Sequence, residues 1–119
     1  MFLDLAHTKI PIYLENRNLV KECYKALKKF PPEEKFALAQ QIRRAVISVH
    51  LNVAEGASKS SGAERKRYYE IARSSLVEVD AAFDVAEDQN YCKKEELQNL
   101  GNSILTCFRQ LSLIINSLK

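Results

Sequence analysis

The 119-residue sequence has no tryptophan, one methionine, two histidines and only three each of glycine, proline and cysteine. So few glycines and prolines leave little room for turns, which favours long helices over a many-stranded sheet. Cys23, Cys92 and Cys107 are odd in number and far apart, with no CxxC pair and no histidine nearby. That excludes a disulfide framework and a zinc knuckle, and points to reduced thiols packed in the core of a cytoplasmic protein. His7 and His50 fall in unrelated places, so neither a Ser/His/Asp nor a Cys/His constellation is suggested. The phosphate-loop pattern GxxxxGK[ST] is missing, and no helical glutamate is followed three residues later by histidine as a di-iron bundle requires. No basic-then-apolar leader opens the chain, and no apolar run approaches the ~20 residues that span a bilayer. The expectation is a cytoplasmic protein that is not an enzyme, with no cofactor, no metal, no membrane contact and no small-molecule substrate.

What is present is ordinary globular material: 46% hydrophobic and 28% charged residues, enough for one core in one domain over residues 1–119. The net charge of +3 permits a nucleic-acid partner without requiring one. Apolar residues recur at the helical period in four stretches, about 12–30, 32–55, 62–88 and 93–118, and nothing reads as a strand. The fold class is therefore all-α, with residues 1–11 as an N-terminal arm. The short Pro31-Pro32 connection makes the first two helices antiparallel neighbours.

On the first helix Ile12, Leu19, Val20, Cys23, Leu27 and Phe30 share a face. The second carries Leu38, Ile42, Ala45, Val46, Val49 and Val53 towards the core. A second stripe, Phe36, Ile47, Leu51 and Ala54 with Gln40 among them, lies roughly opposite. It is either buried centrally within one bundle or covered by another subunit, and the subunit interface is preferred because a bundle normally leaves one helix face wet. Between the stripes Gln41, Arg44, Ser48, Asn52 and Glu55 form a polar row, read as a ladder against the next helix or, with Arg44 and Asn52, as ligand contacts. Gly56 is expected to end the helix in the left-handed conformation, and Ser61 with Glu64 to cap the third. The third helix should bury Tyr68, Ala72, Ser75, Leu76, Val79, Phe83 and Ala86, with Tyr69 turned to a subunit contact. The fourth should bury Leu97, Leu100, Ile104, Phe108, Leu111, Ile115 and Leu118, with Gly101 permitting close helix approach.

The third helix has its charges reversed for its own dipole. Lys59, Arg65, Lys66, Arg67 and Arg73 crowd its start, and Glu78, Asp80, Asp84, Glu87 and Asp88 fill its second half. Each misplacement forgoes about 0.3–1 kcal/mol. A positive helix end with clustered cations attracts phosphate. Salt bridges from the basic end of one subunit to the acidic end of another are the rival explanation.

The stretch IRRAVISVHLNVAEG at 42–56, the Lys59-Ser60-Ser61 loop and YYEIARSSLVEVDAAFDVA at 68–86 resemble the small bacterial proteins of the 23S ribosomal RNA intervening-sequence family. FPPEEKFAL and the Leu-rich last helix also fit, so the likeness covers about residues 24–118. The resemblance places the family motif on Ile42, Arg43, Arg44, Ser48, Asn52, Glu55, Gly56, Ser61, Glu64, Ile71, Ala72, Ser75 and Leu76. It implies an up-and-down, left-handed antiparallel four-helix bundle, assembly into a ring-shaped homopentamer, and no established catalytic activity. A related branch, the accessory proteins of diversity-generating retroelements, binds reverse transcriptase and nucleic acid. The reading is a homo-oligomeric bundle contacting RNA or DNA through Arg43, Arg44, Lys59, Arg65, Lys66 and Arg67, with subunit contacts from Phe36, Gln40, Ile47, Leu51, Ala54 and Tyr69. The alternative is a protein–protein scaffold whose charges serve subunit contacts alone.

Overall fold

A computed structural model describes residues 1–118 and is built from α1 (Pro11–Leu27), α2 (Leu38–Ser58), α3 (Gly62–Asp88) and α4 (Gln98–Ser117), with 3-10 turns at Ala6–Lys9, Pro32–Glu34 and Lys94–Leu97. No strand forms among the described residues, and no helix among them is long and apolar enough to cross a membrane. Packing runs α1 on α2, α2 on α3, α3 on α4 and α4 on α1, as in a bundle. Along α2 and α3 the partners run in opposite chain directions: Gln41 with Glu78, Ser48 with Ser75, and Gly56 against Tyr69. The ion pair of Lys29 with Glu96, 3.2 Å apart, ties the end of α1 to the approach to α4.

The core holds the α1 face expected from sequence and the α2 stripe from Ile42 to Val53. Its three thiols are all buried. Burial pushes Cys23 and Cys107 up to about 12, so both stay protonated and unreactive near neutrality.

Several local expectations are corrected. The second helix does not run unbroken from Pro32. A 3-10 turn follows Pro31, and α2 starts afresh where Glu34 Oε1 accepts the Leu38 N–H at 3.2 Å. Tyr91 fixes that cap by donating its hydroxyl to Glu34 Oε2 at 2.6 Å, and this bond, with the Leu38 N–H second, holds the Glu34 carboxyl below the usual carboxylate range. Between turn and helix Ala37, at φ −123° and ψ −105°, swings Phe36 outward. At the other end Gly56 is not a left-handed stop. The helix continues through it to Ser58, and among the described residues it is Asn90 that takes positive φ, at 64°.

The Tyr69 ring covers the buried Gly56 so closely that a Cβ there would sit 2.9 Å from Cε1 of Tyr69. Tyr69 is thus core rather than subunit contact, only 2% exposed, and Tyr68 is the half-exposed one of the pair. On α4 the buried stripe is Leu100, Ser103, Cys107, Leu111 and Ile115. Phe108 lies at the edge instead, with the Arg73 guanidinium 5.9 Å from its ring centroid. Gly101 has no neighbour that a Cβ would meet and borders an open cleft, so it serves no close approach. The N-terminal arm contains a 3-10 turn that buries Thr8, whose hydroxyl donates to the Leu5 carbonyl at 2.7 Å. Residues 1–6 remain exposed.

His50 packs on Tyr13, ring centroids 4.6 Å apart, with Nδ1 buried and unpartnered. Burial, reinforced by Arg17 and His7, lowers its pKa below the ordinary 6.5. Protonation therefore favours the unfolded chain. The stabilisation from neutral His50 is complete above pH 6.5 and is lost as pH falls from there towards the folded-state pKa. Denaturation at about pH 7.5 and about pH 5.5 should show lower stability at the acid value. His50→Phe, which keeps the ring contact, should remove part of that difference; an unchanged difference refutes the assignment.

Candidate nucleic-acid interface

The six basic residues singled out from sequence form two groups rather than one surface. Arg43 and Arg44 lie near the start of α2 and Lys59 just beyond its end, roughly 20 Å away at about 1.5 Å per residue. Arg65, Lys66 and Arg67 join Lys59 because α3 begins at Gly62, after a loop of a few residues.

At the α3 end Ser61 caps the helix, its Oγ accepting the Glu64 N–H at 3.1 Å. Lys59 pairs with Glu55 at 3.5 Å, and its Nζ also lies 5.1 Å from the Tyr68 ring centroid. Arg67 approaches the same ring at 5.6 Å. Tyr68 is therefore a polarizable platform between two cations. Arg65 is half-buried and its Nε has no partner. It lines an apolar cleft of about 430 Å³ with Tyr69, Leu113, Ile114 and Gln110, whose Oε1 is likewise unpartnered. Among the described residues only two ion pairs form, Lys29–Glu96 and Lys59–Glu55, so Arg65, Lys66 and Arg67 meet no carboxylate of their own chain there. Arg73, by contrast, is engaged, donating to Ser112 Oγ at 3.1 Å.

At the α2 start Arg43 donates to the Lys35 carbonyl at 2.6 Å, and Arg44 is exposed. They line one groove with Tyr24, Phe36, Gln40 and Ile47. Residues read from sequence as nucleic-acid contacts and as subunit contacts thus share a single surface. Tyr24 escaped the sequence reading, although its place between Lys21 and Lys28, off the apolar face of α1, was a legible sign of exposure.

Two members of the polar row on α2, Gln41 and Ser48, bond across to α3. Gln41 donates to Glu78, Ser48 and Ser75 hydroxyls lie 2.9 Å apart, and Asn52 Nδ2 donates to the Ser48 carbonyl at 2.8 Å and to its Oγ at 3.1 Å. Asn52 is thereby tied back to Ser48 on its own helix. Leu51 and Ala54 continue the outer apolar stripe, Leu51 57% exposed and Ala54 half-buried.

No curated protein matches the chain. The model of one family, described as 23S rRNA-intervening sequence protein, matches residues 8–113, from the first buried turn to the last helix. The chain belongs to that family.

Proposed function

We propose that this protein is a non-enzymatic, self-assembling helical bundle of the cytoplasm that contacts nucleic acid through its basic surfaces. The observation that carries the reading is the set Arg65, Lys66 and Arg67 at the positive end of α3, facing no intrachain carboxylate among the described residues, beside the cation-flanked Tyr68. Each cation there is unfavourable to its own helix, and a phosphate backbone offsets that cost. The family description, which links its members to 23S rRNA intervening sequences, supports the same partner class. Self-association through Leu51 and Ala54, the part of the outer stripe of α2 that lies beyond the groove of Arg43 and Arg44, accounts for the exposure of Leu51, and a five-fold ring is what the resemblance implies.

If Lys59, Arg65, Lys66 and Arg67 each meet one phosphate, duplex affinity should fall about 100-fold between about 50 and 200 mM salt. Lys66→Glu with Arg67→Glu should flatten that dependence, as read by fluorescence anisotropy on a structured RNA and a DNA duplex. No binding at low salt refutes the reading.

A second reading has one specific support: Asp80, Asp84 and Glu87 rim a cleft between α3 and α4 and form no ion pair among the described residues. If these acids receive the basic end of a neighbouring subunit, Arg65→Glu with Lys66→Glu breaks the assembly and nucleic acid is irrelevant.

A further inference from the structure

The groove at the start of α2 has a composition unlike the other clefts. Its lining is Tyr24, Phe36, Gln40, Arg43, Arg44 and Ile47, two aromatics and two guanidiniums with no carboxylate. The neighbouring cleft includes Glu34, the clefts between α3 and α4 include Asp80, and the cleft at Arg65, also free of carboxylates, has one guanidinium and a single, buried ring, Tyr69. Both rings are presented outward, Tyr24 42% and Phe36 79% exposed. The exposure of Phe36 follows from the chain path, because the helix break at Ala37 holds it outside the bundle.

The polar members are preset. Arg43 is anchored to the Lys35 carbonyl at 2.6 Å. In the amide orientation that satisfies both neighbours, Gln40 donates to the Phe36 carbonyl at 3.2 Å and accepts from Arg44 at 3.1 Å. Lys35 Nζ lies 5.4 Å from the Phe36 centroid, and exposed Lys21 and Lys28 flank Tyr24 on α1. An apolar partner surface would have to bury two guanidiniums without a counter-charge, which is strongly unfavourable. A partner carrying flat rings and anions together meets both halves of the lining. The volume of about 300 Å³ is at the lower end for a ligand site and suits a single nucleobase.

We propose that this groove is a stacking site for an unpaired base of single-stranded nucleic acid, with Tyr24 and Phe36 against the base and Arg43 and Arg44 on the adjoining phosphates. The proposal rests on the nucleic-acid reading above and adds the strandedness of the ligand. In a duplex the bases are already stacked on each other, so the rings of this groove find no free face there.

The test is anisotropy with labelled oligouridine, oligothymidine and a blunt duplex, on the full chain and on Tyr24→Ala with Phe36→Ala. Both side chains are exposed, so the variant keeps the core, which thermal melting checks. Single-stranded affinity should fall about tenfold or more while duplex affinity changes less than about twofold. Oligothymidine should behave like oligouridine, because stacking does not read the sugar, and Phe36→Trp should retain the binding. Equal losses on duplex and single strand, or no loss on either, overturn the stacking site while leaving the broader reading intact. A fall in molar mass of the Tyr24→Ala, Phe36→Ala variant, measured without nucleic acid, also overturns it, since the groove is then a subunit contact. If the unaltered protein binds no nucleic acid at low salt, the broader reading fails and takes the site with it.

Discussion

Tyr69→Ala is expected to lower the unfolding free energy by about 3–5 kcal/mol, the usual loss for emptying a buried aromatic site. The side chain is 2% exposed and wedged against the helix backbone at Gly56, where α2 and α3 approach each other. A loss of that size is a large part of the about 5–15 kcal/mol that holds a domain of ordinary stability together. The contact also fixes the sign of a second change. In the natural background Gly56→Ala drives a Cβ to 2.9 Å from the ring of the buried Tyr69, so the ~1 kcal/mol gained in helix propensity is outweighed by overpacking of about 1–3 kcal/mol. In the Tyr69→Ala background the obstruction is gone, and Gly56→Ala should become stabilising. Chemical denaturation of the four variants at one fixed protein concentration reads this cycle. Gly56→Ala acting with the same sign in both backgrounds refutes the wedge.

Leu51→Asp is expected to convert the assembly to monomers with little change in helix content. Leu51 is 57% exposed, so within one subunit the substitution disturbs little. In an interface the same change removes about 1.5–3 kcal/mol of apolar burial from every copy and places an uncompensated carboxylate there. Leu113→Asp, on α4 and still more exposed at 71%, is the control and should leave the molar mass unchanged. Light scattering with circular dichroism on the two variants makes the comparison. If the unaltered protein is already monomeric, or Leu51→Asp keeps the full mass, the outer face of α2 is not the contact.

Four helices and most of their faces were legible because period 3.6 is written locally: Ile42, Ala45, Val46, Val49 and Val53 reach the core as their spacing demands. The third helix, Gly62–Asp88, was bounded correctly because its cap is local chemistry, Ser61 on the Glu64 N–H. The weaker points were choices between adjacent residues. Tyr68 and Tyr69 stand four and three residues before Ala72, and both spacings fit one helical face, so periodicity alone could not rank them. The same ambiguity put Phe108 where Cys107 lies.

Sequence by itself determined the all-helical class, the four segments and their cation-rich and acid-rich stretches, since each depends on residues within a few turns of one another. Tertiary structure alone decided that Gly56 receives Tyr69, that Gln41 and Ser48 of the polar row are engaged by α3, and that Arg43 and Arg44 share a groove with Tyr24 of α1. Those outcomes depend on which atoms of one helix face which atoms of another, and no periodicity within a single helix records that.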